Sequence, residues 1–273
     1  MKTMTSTDGT AISVRSHGTG PGLVLIPGTT RRAHHYDVLA AALGDRFTVH
    51  AIDRRGRGLS GPQGAGYRMD DEVEDALTVL DGTGSNLVFG HSYGGAIAMR
   101  LALRRPLASL VVYEPALSLN GSMDLSFVPA VVDLIERRRF GTAMGRWITG
   151  LGLQPFDKAP KIAYTVMGWL MMHTGDGADQ RETFRTAPAE AEQIRRLDSD
   201  GREYAAISTP TLLLGGGRSP DYLTYVLREL DRILPNATLL LSPPLDHNAP
   251  DINAPETVAG LVRAFLTPAD AVS

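Results

Sequence analysis

Six short, continuous apolar runs, at residues 23–26, 47–52, 86–89, 110–113, 211–214 and 238–241, constrain the fold of this chain more than any other feature. A strand that is apolar on consecutive residues has no solvent face, which is the condition of a strand inside a parallel sheet covered on both sides. Segments of helical length stand between most of the runs, at 36–43, 70–80, 94–104, 220–234 and 255–266. Strand alternating with helix demands right-handed crossovers and a mainly parallel sheet. Ahead of these runs, Asp8-Gly9 separates residues 2–6 from the alternating Ala11-Ile12-Ser13-Val14-Arg15, and an Asp-Gly pair favours the tight turn of a hairpin. With the hairpin included, the expectation is an α/β protein on a mostly parallel, eight-stranded, doubly wound sheet.

The interval between Tyr113 and Thr211 breaks the alternation. It is too long for a structureless loop, and it carries helix-like apolar spacing around 128–139, 144–151, 162–172 and 183–197. It is therefore read as a helical cap insertion at 116–205, with 1–115 and 206–273 forming the core. Its Trp147, Met167, Trp169, Met171 and Met172 either line an apolar pocket or pack the cap helices together, and helical spacing alone does not separate the two. Trp147, Trp169 and Met172 are the candidate substrate contacts. The insertion is expected to act as a mobile lid.

Composition removes several function classes. The chain has 273 residues with 27 Lys+Arg against 30 Asp+Glu, a net charge of −3 that gives no field to gather nucleic acid or an acidic membrane. It contains no cysteine, which removes disulfides, thiolate metal sites and a cysteine nucleophile together. No run approaches the ~20 apolar residues of a membrane span, and residues 1–8 lack the apolar stretch of a secretory signal. The expectation is a cytoplasmic protein whose partner is a small hydrophobic molecule.

The strongest local signal is Gly90-His91-Ser92-Tyr93-Gly94-Gly95, directly after a buried run and directly before a helix. This is a G-x-S-x-G elbow in the context it requires. So sharp a strand-to-helix turn crowds the backbone and needs small residues on both sides of the serine.

In this segment the chain resembles the α/β-hydrolase fold superfamily, over nearly its whole length outside the insertion. Leu25-Ile26-Pro27-Gly28-Thr29-Thr30 is similar to the family's oxyanion loop, with Pro27 where a histidine is common. Asp53-Arg54-Arg55-Gly56-Arg57-Gly58-Leu59-Ser60 resembles the turn after its fourth strand, and Leu245-Asp246-His247-Asn248-Ala249-Pro250 the loop that carries its catalytic histidine. The resemblance implies backbone N–H donors at Tyr93 and Thr29 for the oxyanion.

A serine hydroxyl needs a neutral imidazole to take its proton. His247 alone follows a late strand, so it is the candidate base. His17, His50 and His173 suit structural or solvated roles, His91 is expected to face away from the serine, and His34 and His35 either line the pocket or pack a helix end.

The acid departs from the usual family pattern. The loop after residues 211–214 reads Gly215-Gly216-Gly217-Arg218-Ser219-Pro220-Asp221, with Arg218 where the acid is expected. Glu114, at the carboxyl end of a buried strand and before Pro115, is the preferred candidate, since ligands and catalytic groups gather at that edge. Tyr113-Glu114-Pro115 resembles branches of the fold that draw the acid from this strand. Asp221 and Asp246 stay open as alternatives, although Ser219-Pro220-Asp221 also reads as a helix start, and Asp246 adjoins His247 too closely to orient its ring.

Gly56-Arg57-Gly58-Leu59-Ser60-Gly61 matches the dinucleotide fingerprint, but Pro62-Gln63-Gly64 follows where a phosphate-binding helix should open. No cofactor and no metal is expected. The leading function is a serine hydrolase of an ester or lactone, acting through an acyl-enzyme on Ser92. Carbon–carbon bond hydrolysis, perhydrolysis, cyclisation or ligand binding without turnover are alternatives on the same fold. A serine at the elbow speaks against epoxide and haloalkane hydrolysis, which use a carboxylate there.

Overall fold

A computed structural model describes residues 1–153 and 159–267. Eight strands, β1 (Lys2–Thr5), β2 (Ala11–His17), β3 (Gly22–Ile26), β4 (Thr48–Asp53), β5 (Leu87–His91), β6 (Ser109–Tyr113), β7 (Thr211–Gly216) and β8 (Ala237–Ser242), form one sheet. Its order is β1-β2-β4-β3-β5-β6-β7-β8. The leading hairpin pairs Lys2 with Val14 and Thr5 with Ala11, and β2 runs antiparallel to β4. Every other pairing is parallel.

Five of the six apolar runs are strands because both of their faces are covered; the run at 238–241 forms β8, an edge strand that is only partly covered, with Leu240 37% exposed. Val24, Val88, Val112 and Leu213 point to one face, where they meet α2 (Met69–Thr83), α3 (Tyr93–Arg104) and α9 (Asp221–Ile233). Leu23, Leu25, Phe89, Val111 and Leu212 point to the other, beneath α1 (Asp37–Leu43) and α10 (Pro255–Leu266). Successive residues of one strand thus enter two different cores, as the two-residue strand period requires. Each fully buried Leu or Val contributes about 1.5–3 kcal/mol of transfer free energy.

Between β6 and β7 run α4 (Val128–Glu136), α5 (Phe140–Gly150), α6 (Lys161–His173), α7 (Gly177–Phe184) and α8 (Ala187–Arg196). They share a core of their own, including Phe127, Val131, Phe140, Met144, Trp147, Met172 and Phe184. The sequence predicts one helix over 183–197. The structure instead ends α7 at Phe184 and starts α8 at Ala187, with Pro188 in its first turn. A proline is tolerated there, where the N–H it lacks has no helical partner in any case. Among the described residues, no helix is long and apolar enough to cross a membrane.

Candidate active site

β5 passes into α3 through Ser92, a non-glycine residue at φ 53°, ψ −120°. Such a backbone costs on the order of 1–3 kcal/mol and persists only where its surroundings fix it. The Ser92 N–H donates to the Tyr113 carbonyl at 3.0 Å, which pins the turn to β6. The flanking glycines have a steric cause. A Cβ at Gly90 would lie 2.5 Å from the Gly94 carbonyl oxygen, and one at Gly94 would lie 2.0 Å from that of Ile26.

His247 arrives from the loop after β8. Its Nδ1 stands 2.7 Å from Glu114 Oε2 and its Nε2 3.1 Å from Ser92 Oγ. A carboxylate only accepts, so Nδ1 carries the proton and Nε2 is left to accept from the serine hydroxyl. Glu114 is fully buried and, like Ser92, sits at positive φ, 44°. Its other oxygen accepts the Gly216 N–H at 2.7 Å. The glycine run at the end of β7 makes this approach possible: a Cβ at Gly215 would stand 3.2 Å from Glu114 Oε1.

The alternative acids lie elsewhere. Asp221 is exposed at the start of α9, and Arg218 is exposed in the loop before it. Asp246 accepts the Asn248 N–H at 3.0 Å and the Asn253 amide at 2.7 Å, so it fastens its own loop.

His91 differs from the expectation that it faces away from the site. It is buried beneath the histidine loop, its Nε2 2.9 Å from the His247 carbonyl oxygen and its Nδ1 2.7 Å from the Tyr36 hydroxyl. Burial, aided by His247, pushes its pKa well below the ordinary value. The neutral ring donates from Nε2 to the carbonyl and accepts from Tyr36, while Tyr36 accepts the Gly28 N–H at 3.1 Å. A hydrogen-bonded line therefore joins the Gly28–Thr29 loop to the backbone of His247. A histidine inside the elbow was the only sequence signal for it. His34 and His35 belong to the turn Ala33–Tyr36, where His35 Nδ1 accepts the Arg32 N–H at 2.9 Å; helix-end packing is what the structure gives them.

Against Ser92 lies the loop Gly28-Thr29-Thr30-Arg31, where a Cβ at Gly28 would stand 3.1 Å from the Ser92 Cβ. Thr30 is at φ 62°, a left-handed backbone, and Arg31 Nε pairs with the buried Asp251 at 2.5 Å. The Thr29 hydroxyl donates to Glu190 Oε2 at 2.8 Å. Burial alone would raise the Glu190 pKa, but the Arg54 and Arg57 guanidiniums outweigh it and hold the carboxyl below its ordinary value. The glycine-rich turn 56–61 opens no helix; its Gly56 N–H donates to the Gly61 carbonyl at 2.7 Å, and its Arg57, with Arg54 just before the turn, pairs with the buried Glu190.

Ser92, His91, His247 and residues 28–31 form one end of a cavity of about 260 Å³. The remaining walls are apolar, with Met123, Met144, Trp147, Ile148, Met167 and Met171 among them. Of the expected contacts, Trp147 lines this cavity, whereas Trp169 and Met172 do not. Trp169 is 52% exposed and stacks on His173, and Met172 is fully buried in the core of the inserted helices. The helical period explains the correction. Met167 and Met171, four residues apart, share the inward face of α6, while Trp169 is rotated about 200° from Met167 and points outward.

Known proteins agree with this architecture. The chain is 24% identical to 2-(acetamidomethylene)succinate hydrolase of Mesorhizobium japonicum over 266 residues, covering 93% of this chain and 91% of that protein. It is 38% identical to the lipase LipV of Mycobacterium tuberculosis over 147 residues, 50% of this chain and 56% of that one. The crystal structure of an alpha/beta hydrolase from Sphaerobacter thermophilus superposes with a TM-score of 0.82 at 27% identity, over 97% of this chain and 100% of that chain. The family model described as "Alpha/beta hydrolase family" matches residues 23–261. A hydrolase-type enzyme is thus the class to which sheet, elbow and relatives all lead, and the chain belongs to the alpha/beta hydrolase family.

Proposed function

We propose that the protein is a serine hydrolase that cleaves an ester or lactone of a hydrophobic small molecule, with Ser92, His247 and Glu114 as nucleophile, base and orienting acid. The observation that carries this reading is the line from Glu114 Oε2 through His247 to Ser92 Oγ, 2.7 Å and 3.1 Å long, at the polar end of an apolar cavity. His247 Nε2 takes the hydroxyl proton as Ser92 Oγ bonds to the carbonyl carbon. Glu114 stabilises the imidazolium that forms, and the Thr29 and Tyr93 N–H groups receive the oxyanion. Collapse breaks the carbon–oxygen bond and passes the proton from Nε2 to the leaving alkoxide. Water then repeats the sequence on the acyl-enzyme, with no cofactor required.

Residues 116–205 are the cap in this reading, and they supply most of the apolar wall. Arg31 is the one guanidinium or ammonium among the described lining residues, and Asp251 already neutralises it. A small dianionic substrate such as a succinate derivative finds no free cation there, so an apolar acyl or ring portion fits better. A ladder of aryl esters from acetate to octanoate tests this. Burial of each methylene is worth about 0.8 kcal/mol, so kcat/KM should rise up to about fourfold per carbon until the cavity is filled. A clear preference for acetate would contradict the hydrophobic substrate class.

A further inference from the structure

The side chains of the two proposed oxyanion donors meet one buried network. Thr29 Oγ1 donates to Glu190 Oε2 at 2.8 Å, and Glu190 Oε1 accepts from Arg54 Nη2 at 2.7 Å and from Arg57. The same Arg54 guanidinium lies over the ring of Tyr93, 4.7 Å from its centroid. Tyr93 donates its hydroxyl to Tyr67 at 2.7 Å, and Tyr67 donates to Glu72 at 2.5 Å, itself a partner of Arg54 at 3.3 Å. Arg54, Arg57, Glu72 and Glu190 are all buried. One Arg54–Glu190 pair therefore touches the side chains of both residues proposed to give their N–H groups to the oxyanion.

A buried ion cluster is a poor source of stability, since apolar side chains of similar volume serve as well. An apolar side chain cannot accept the Thr29 hydroxyl. The loop it belongs to needs holding, because Thr30 is left-handed at φ 62°. Three clamps fix it: the Tyr36 hydroxyl on the Gly28 N–H, Asp251 on Arg31, and Glu190 on Thr29. Of these, only Glu190 comes from the inserted helices.

We infer that Glu190 on α8 is a positioning residue which, with Arg54, aims the Thr29 and Tyr93 N–H groups at the developing oxyanion. This rests on the serine-hydrolase reading above. Glu190 touches no reacting atom. Its helix is then part of the machinery that binds the transition state, tied to the core through Thr29, Arg54 and Arg57.

The test compares wild type, Thr29→Val, Thr29→Ser, Glu190→Gln and the Thr29→Val/Glu190→Gln double variant. Each is assayed for kcat and KM on the best ester and for affinity to an alkylboronic acid, which mimics the tetrahedral state. Misaiming one donor should lower kcat about 10- to 100-fold and weaken the boronate by a similar factor, with KM within about twofold. Thr29→Ser, which keeps the hydroxyl, should recover most of the loss, and the double variant should be no worse than the poorer single one. A Thr29→Val enzyme with wild-type kcat and boronate affinity overturns the inference, and so do losses that multiply in the double variant. If Glu190→Gln does not fold, the valine and serine variants decide alone. A wild type that neither turns over any ester nor labels at Ser92 overturns the hydrolase reading and the inference with it.

Discussion

Glu114 reaches across the end of β7 to place Oε2 2.7 Å from His247 Nδ1, although the two residues lie 133 positions apart and Glu114 directly follows β6. The carboxylate is held at both oxygens, by the ring and by the Gly216 N–H. A carboxylate so fixed favours the tautomer with the proton on Nδ1, which is the task proposed for Glu114 as the orienting acid.

The position of the acid gives the first prediction. Glu114→Gln removes the charge and favours the wrong tautomer, and it should cost up to ~10⁴-fold in kcat with the fold retained. Asp221→Asn should leave kcat near wild type and remove only a helix-start contribution of roughly 0.3–1 kcal/mol. Steady-state kinetics on the two variants, beside their circular dichroism, checks this. A severe loss in Asp221→Asn next to a nearly normal Glu114→Gln would return the acid to the loop after β7.

Stability should fall on acidification for a specific reason. Burial, with help from Arg31 and His34, holds His35 down at about 4, and burial lowers His91 far more strongly. Unfolded histidines titrate near 6.5, so below that pH the unfolded chain binds protons that the folded chain refuses. Stability from these two groups is complete above about pH 6.5 and is lost as pH falls toward 4, by at most about 1.4 kcal/mol per pH unit for each, less for the partly exposed His35. Urea unfolding at pH 7.5, 6.5 and 5.5 should show the decline, and His35→Gln should flatten it. Identical slopes in the two proteins would contradict this origin.

The inner strands were legible because burial on both faces writes itself as an unbroken apolar run, although the run of β8 turned out to be a half-exposed edge; Ser92 and His247 were legible because each sits at a fixed place relative to a strand end. Glu114 could be proposed because Arg218 stands where the usual acid is expected and because Glu114 ends a buried apolar run before Pro115. The clamps were not legible. Glu190 meets Thr29 across 161 positions and His91 meets His247 across 156, and no local pattern encodes such a meeting. Arg54 and Arg57 looked like part of a turn motif because the carboxylates that neutralise them, Glu72 and Glu190, lie on distant helices. Trp169 was misplaced because its residue type suggests a pocket while its phase on α6 decides its direction.

The activation of Ser92 as a nucleophile underlies the proposed function. Its most direct test is the intact mass of the protein after brief exposure to an alkyl fluorophosphonate, followed by peptide mapping. A single phosphonyl adduct on Ser92 is expected, formed rapidly in wild type, slowed by orders of magnitude in His247→Ala and absent in Ser92→Ala. An unmodified wild type, or an adduct on another residue with ester turnover intact, would contradict it.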